Sequence, residues 1–476
     1  MVHMWHLILF STGLVLQAAA IKWLPLDRAW VRLGLIGFNA LVWLSAVLVW
    51  SWLVLPASVA LINVLRLSQH RYGPKRERRV LLRTSGWLSA LCVITALWLA
   101  FVAAAWRLGW DTLAGLSLAA VASRALVLVL YRGLKHQFRP QAIPPVGTLP
   151  ALTLAVPARN ETHALTDHLR AVVAGRYDKL EVIVLDDCSQ DSTPDIVRSF
   201  ANDGVRFIQG RQPAASWLGK NFAYQTLLEE ASGDWIMFAG VDIRLEPTSL
   251  ARLVALAERT QSDVVSVMPY RRNFDWLPTL LRPLRYFWQL GFSAWPLMNS
   301  CWLVRREWLL AQGGFRPHKH SIWPERMLAT IARASDNYQF VISTPELGVT
   351  TRKRAGSVLE TAKRTLYPLQ KRELVWLMAK SLVLLSWLAL PWLELISLPA
   401  SLLLAYGWLL LWLAYAVSEM LTQPRVWYLS AWSLPLNLLN EIWLGLVSAY
   451  GYEFGRVNWK GRSICLPVLA QDSRER

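Results

Sequence analysis

Carboxylates set directly after short apolar runs are where this chain carries its chemistry. The run 151–156 opens into Pro157-Ala158-Arg159-Asn160-Glu161, and the run 181–185 ends in Asp186-Asp187-Cys188-Ser189-Gln190-Asp191-Ser192. A strand that stops abruptly in acidic and small polar residues, with a helical pattern behind it, places a ligand site at the carboxyl edge of an α/β sheet. The same arrangement returns where 234–239 gives way to Gly240-Val241-Asp242.

Bringing three such edges together needs strands that point the same way. Apolar strands at 151–156, 181–185, 205–208, 234–239 and 263–268 alternate with helical patterns. That alternation predicts a mainly parallel sheet. The polar stretch 145–372 that holds them is long enough for one sizeable α/β core, and apolar, Trp-rich sequence flanks it on both sides.

The 476 residues are 54% hydrophobic, with 27 Trp, and the mean hydropathy is +0.30. Such a chain is too apolar for an ordinary soluble enzyme and too charged in its middle for a simple channel, so it reads as a soluble domain joined to membrane spans. The net charge of +18 includes no nucleic-acid reader motif. It is read instead as juxtamembrane charge facing anionic lipid, with a few cations left for an anionic diphosphate substrate. Cys92, Cys188, Cys301 and Cys465 are scattered without a CxxC pair, which points to neither a disulfide framework nor a zinc site.

The segment 4–20 ends in Ala18-Ala19-Ala20 like a cleavable leader, yet its n-region carries only His3 and His6 and no Lys or Arg; an uncleaved first span is the preferred reading. Residues 33–65, with Pro56 inside, form one tilted helix or a tight pair. A basic loop from Arg66 to Arg83 is cytoplasmic by the positive-inside rule. A hairpin of 86–105 and 112–131 returns the chain to that side at Arg132, Lys135 and Arg139, so the polar domain faces the cytoplasm. Arg124, inside the fourth segment, is read as snorkelling and left out of the site.

Beyond 373 come apolar segments near 374–390, 399–418 and 426–450, then Arg456, Lys460 and Arg462. A cytoplasmic tail requires an even number of crossings, so one segment is expected in the interface; Pro391, Glu394 and Pro399 draw suspicion to the first junction. The expected division is a transmembrane block 1–140, an α/β domain 145–372, a transmembrane or interfacial block 373–455 and a basic tail 456–476.

Five motifs in order resemble the family 2 glycosyltransferases of GT-A fold. They are Pro157-Ala158-Arg159-Asn160-Glu161; Asp186-Asp187 with Ser189; Trp217-Leu218-Gly219-Lys220; Cys301-Trp302-Leu303-Val304-Arg305-Arg306-Glu307 leading to Gly313-Gly314; and Trp459-Lys460-Gly461-Arg462. The likeness covers the polar domain, reaches into the tail, and is strongest to membrane-bound, lipid-directed members such as the hopene-associated and carotenoid glycosyltransferases. It implies a cytoplasmic, Rossmann-like GT-A domain between transmembrane blocks of the bacterial inner membrane. The implied activity is inverting transfer of a sugar from a nucleotide-diphosphate donor to an isoprenoid-type or other membrane lipid.

The resemblance also implies roles. Pro157, Asn160, Glu161, Asp186 and Asp187 would cradle the donor nucleotide, with Lys220 meeting the diphosphate. Against this, the acidic pair can simply cap the next helix, a task open to Ser189 and Asp191 as well, and Lys220 can be a solvated lysine. The family's Asp-x-Asp motif holds Mg²⁺ or Mn²⁺; here it reads Gly240-Val241-Asp242, leaving Asp242 as the expected ligand. His318 and His320 are an alternative source of a metal ligand.

The family's general base precedes a Leu-Ala pair on a helix. In Trp323-Pro324-Glu325-Arg326-Met327-Leu328-Ala329 that position falls on Glu325, with Pro324 in place of its acidic neighbour. Glu325 is equally suited to a helix's first turn. Arg352, Arg354 and Arg364 would meet the diphosphate or acceptor, or serve as membrane-flanking charge.

A processive polysaccharide synthase is one rival, opposed by the lack of a Gln-x-x-Arg-Trp motif. A catalytically degenerate nucleotide-sugar-binding membrane protein is another, favoured by Gly240 and Pro324 and opposed by the retained Asp186, Asp187, Asp242 and Glu325.

Overall fold

The computed structural model describes residues 111–145, 147–214, 216–271, 284–353, 355–370, 372–396 and 402–465. The segments read at 4–20, 33–65 and 86–105, Arg354 and the tail beyond Cys465 lie outside the described residues. The chain divides into two compact units. One joins Gly115–Leu369 to Leu402–Arg476; the other contains Gln370–Ser401, whose described part is mainly the helix Leu374–Ile396.

Seven strands make the main sheet: β1 (Leu152–Ala158), β2 (Leu180–Asp186), β3 (Val205–Gln209), β4 (Trp235–Ala239), β6 (Val264–Met268), β8 (Cys301–Arg305) and β9 (Tyr338–Ile342), in the order β3-β2-β1-β4-β8-β6-β9. All pairings are parallel except those of β8, which runs antiparallel between β4 and β6. The five expected strands are present. The stretch Cys301–Arg305, read as a motif, is also the strand that closes the gap, with Phe238 opposite Trp302 and Ala239 opposite Cys301. The inner strands are continuous apolar runs because both faces are covered. One core contains Val156, Met237 and Leu253; the other, on the opposite face, contains Ile183, Phe238, Trp302 and Leu328.

A small sheet of β5 (Ile243–Leu245), β10 (Val349–Thr351) and β7 (Tyr270–Arg271) pairs Thr351 with Ile243. That register carries the basic segment after β10 past Asp242, where the Arg352 amide donates to the Asp242 carbonyl at 3.0 Å.

The helix α1 (Asp111–His136) precedes the domain. Among the described residues two helical stretches are long and apolar enough to cross a membrane, Gly115–His136 and Leu403–Thr422, with Leu374–Ala389 shorter. The segment read at 426–450 divides into a short helix, Trp427–Ala431, and a longer one, Leu434–Glu453. The longer helix buries polar side chains against the α/β domain. Glu441 accepts from the Leu284 amide at 3.1 Å and the Trp288 indole at 3.0 Å, while Glu419 on Leu402–Thr422 lies 3.5 Å from Arg271. Such groups are tolerated in apolar surroundings when protein partners replace water. Arg132, expected as flanking charge, is buried and donates to the carbonyls of Gln289 and Leu290 at 2.7 Å each. Arg124 is exposed.

His168 on α2 (Leu165–Val173) is fully buried; its Nδ1 donates to the Ile243 carbonyl at 2.7 Å, and its Nε2 has no hydrogen-bond partner. Burial, the largest cause, depresses its pKa to about 4. A folded value below the unfolded one of about 6.5 means the unfolded chain binds the extra proton. His168 therefore contributes full stability above about pH 6.5 and loses it as pH falls toward 4, a loss approaching about 3 kcal/mol. The melting temperature of the purified protein should fall across that window, and His168→Asn, which keeps a donor for the carbonyl without a titrating ring, should flatten the slope. An unchanged slope in the variant would remove this role.

Candidate functional site

The parallel register of β1 and β2 sets Ala158 beside Asp186, so both acidic loops emerge at one sheet edge. Asn160 takes a left-handed backbone (φ 49°), which Asn tolerates better than most residues. Its amide donates to Ser189 Oγ at 3.0 Å, and its own Oδ1 accepts from the Gln190 amide at 2.9 Å. Asp186 is buried and ties its own loop by accepting from the Ser189 amide at 3.2 Å. Asp191 accepts from the Thr193 amide at 3.0 Å where the next helix, α3 (Thr193–Ser199), begins. Neither member of the acidic pair caps that helix: Asp186 bonds within its own loop, and the Asp187 side chain is turned to a different partner.

That partner comes from the far end of the sequence. The hairpin of β11 (Asn458–Trp459) and β12 (Arg462–Ser463) reaches back to the first two loops. Arg462 Nη1 meets both Asp187 carboxylate oxygens, at 2.6 and 2.7 Å. Lys460 Nζ lies 2.8 Å from Glu161 and donates to the Asn160 carbonyl at 3.0 Å, and Arg159 Nε donates to the Lys460 carbonyl at 2.9 Å. Burial raises the carboxyl pKa of both Asp187 and Glu161, opposed by Arg462 and Lys460 respectively. Pro157 sits in β1, half-buried.

Glu325 and Lys220 form a second group. Asn221, in the first turn of α4 (Gly219–Glu230), donates through Nδ2 to the carbonyls of His318, Lys319 and Ser321 at 2.7–3.1 Å, and the Leu218 amide donates to the Lys319 carbonyl at 3.0 Å. These bonds fasten α4 to the loop before α5 (Pro324–Ala334), where Pro324 opens the helix and Glu325 follows in its first turn. The result is a buried ion pair: Lys220 Nζ donates to Glu325 Oε1, while Glu325 Oε2 has no hydrogen-bond partner. A buried carboxylate oxygen left open is a costly arrangement that a purely structural residue has no need of. Lys220 also lies 4.9 Å over the Tyr224 ring, on an aromatic floor with Phe238, Trp302 and Phe315. Burial lowers the Lys220 pKa, and Glu325 opposes it.

Asp242, in the loop between β4 and β5, faces Lys353, whose Nζ is 3.8 Å from its carboxylate and donates to Thr361 Oγ1 at 2.8 Å. Arg352, the expected cation, is exposed. Lys353 lies between two expected residues and was not singled out; alternation along the extended segment after β10 was the available signal. Arg364, on α6 (Ala355–Thr365), stacks on Trp459 at 4.7 Å. Arg285, which the sequence also did not flag, donates to Asn299 Oδ1 at 2.5 Å. Burial lowers the pKa of Lys353, Arg364 and Arg285, and the fields of Glu325, Asp242 and these cations reach one another. Four cations (Lys220, Arg285, Lys353 and Arg364) thus lie within electrostatic reach of the carboxylates Glu325 and Asp242. The surplus suits a dianion.

Among the described residues no group of three or more His, Cys, Asp or Glu side chains is placed to hold a metal ion, His318 and His320 included. A hard divalent ion fits this donor set in one way: with Asp242 as the protein's ligand and a substrate diphosphate with water as the rest.

Residues 153–309 match the family model described as Glycosyl transferase family 2. A probable glycosyltransferase of Bacillus subtilis, YdaM, is 34% identical over 110 residues, covering 22% of this chain and 26% of that protein. The β-monoglucosyldiacylglycerol synthase of Trichormus variabilis is 27% identical over 199 residues, covering 41% of this chain and 39% of that one. The matched stretches thus span well under half of these relatives' own length. Among solved structures, a mannosyltransferase from Pyrobaculum calidifontis in complex with GDP-Man and Mn²⁺ aligns over 70% of this chain and 99% of that chain, with TM-score 0.39 and 19% identity.

Proposed function

Because residues 153–309 are a family 2 glycosyltransferase domain, we propose that this protein transfers a sugar, with inversion, from a nucleoside-diphosphate donor to a lipid hydroxyl or phosphate at a membrane surface. The observation that carries the reading is the buried Glu325, held by Lys220 through one oxygen and open at the other, beside surplus positive charge. A general base must be ionised and oriented, with a free lone pair toward the proton it accepts.

The donor's nucleoside would rest on the loops of Pro157, Asn160, Glu161, Asp186 and Asp187. Its diphosphate would face Lys353, Arg364 and Arg285, with Arg352 and Arg354 on the same segment. The acceptor oxygen attacks the anomeric carbon from the face opposite the diphosphate. As that bond forms, the acceptor proton passes to Glu325 Oε2, the bond from the anomeric carbon to the diphosphate oxygen breaks, and the nucleoside diphosphate leaves with the electron pair. Lys220, bonded to Oε1, stops the carboxylate turning. A divalent ion, held by Asp242 and the donor's phosphates, would supply further charge neutralisation at the leaving group.

A lipid acceptor is supported by the apolar helices next to the domain and by the name of the Trichormus synthase. A multi-pass inner-membrane location with the domain on the cytoplasmic side belongs to the same proposal. Purified protein in lipid, offered UDP- and GDP-sugars with membrane lipid extract, is expected to form a glycolipid of one added sugar. Products of graded length would instead favour a polysaccharide synthase. No turnover with nucleotide still binding would favour a non-catalytic relative.

A further inference from the structure

We propose that the tail hairpin is a wall of the donor pocket, and that Lys460 and Arg462 are donor-binding residues for a nucleoside diphosphate. The inference rests on the glycosyltransferase reading above and says which part of the chain completes its donor site.

Three observations converge on this. First, the hairpin's cations reach two of the acids expected to hold the nucleotide: Arg462 on Asp187 and Lys460 on Glu161. Second, the contact is built from both sides. Arg159 donates to the Lys460 carbonyl, Arg462 Nη2 donates to Gln212 Oε1 at 2.9 Å, and Trp459 is stacked under Arg364. Gly219 leaves room for the arrangement, since a Cβ there would stand 2.9 Å from Arg462 Nη1 and 3.2 Å from Asp187 Oδ2. Third, the Nε groups of Arg462, in the hairpin, and of Arg364, over Trp459, are buried donors with no hydrogen-bond partner. Buried N–H donors of this kind call for acceptors, and phosphate oxygens are the acceptors that guanidinium groups recognise best.

Arg462 thus orients Asp187 toward the nucleoside while its own Nε is left for a phosphate oxygen. Lys460, on its flexible stem, can pass from Glu161 to the diphosphate.

The test is UDP and GDP binding to the full-length protein in lipid nanodiscs by calorimetry, without sugar or acceptor. The wild type is expected to bind at least one of the two. Arg462→Gln and Lys460→Gln should each weaken that binding by about tenfold or more, the loss expected for a charge-assisted contact. Arg462→Lys should recover part of it. Gly219→Ala, which disturbs the Arg462–Asp187 pair without removing a charge, should weaken binding with little change in melting temperature. In turnover, these variants should raise the donor KM more than they lower kcat. Tighter binding in the variants would make the hairpin a plug that competes with the donor, and unchanged binding would make it structural only; either result overturns the proposal. A wild type that binds neither diphosphate would overturn the glycosyltransferase reading together with this one.

Discussion

Glu325→Gln is expected to lower kcat for sugar transfer by about 10²–10⁴-fold, the range associated with loss of a general base. The amide preserves the side chain's length and still offers Lys220 an oxygen, yet it cannot accept a proton at the atom that Glu325 leaves open. Binding of UDP or GDP should change little, because the group acts on the acceptor side. Neutralising one member of a buried pair leaves the Lys220 ammonium uncompensated, which costs stability of its own. Glu325→Asp therefore serves as the companion variant. It keeps the charge, withdraws the carboxylate by one methylene and should retain measurable transfer. Full kcat in Glu325→Gln, measured as glycolipid formed per folded protein, would mean that some other group takes the proton.

Asp242→Asn is expected to reduce transfer by about 100-fold or more, and EDTA should do the same to the wild type. Applied together they should be no worse than either alone, since both remove one hold on the diphosphate. Asparagine keeps the size and the loop but loses the charge that faces Lys353 and that would hold a divalent cation. Each outcome has a reading. If EDTA leaves turnover intact while Asp242→Asn abolishes it, Asp242 acts by positioning Lys353, and the cation cluster alone neutralises the leaving group. If neither matters, the loop Gly240-Val241-Asp242 is outside the reaction.

Much of this architecture was legible because it depends on local pattern. Strands β1, β2 and β4 are apolar runs ended by acids, and their parallel register then fixes which loops are neighbours. The family resemblance points to Glu325 through its position before Leu328-Ala329. Its pairing with Lys220 was not legible: those residues are far apart in sequence and meet only because Asn221 fastens one helix to the loop before the other. Lys220 was expected at the donor diphosphate, and its observed contact is with Glu325. Lys353 was hidden between two arginines of the same charge, and only the pairing of β10 with β5 shows which cation faces Asp242. β8 escaped notice as a strand because hydrophobic periodicity does not report direction, and its antiparallel place depends on long-range pairing. The C-terminal helices illustrate the same limit. Glu419 and Glu441 look out of place in apolar segments until Arg271, Leu284 and Trp288 supply their partners.

The helix Leu434–Glu453 runs, after one short turn, into the hairpin that grips Asp187 and Glu161. Tyr367, just before the chain leaves the domain, is tied back to that helix through Ser448 and Glu453. A lever is thereby built into the connectivity. Any displacement of Leu434–Glu453 would reach the loops of Asp187 and Glu161 within a few residues. Trimming the chain to its polar middle would discard that lever and leave Asp187 and Glu161 without the cations that hold them.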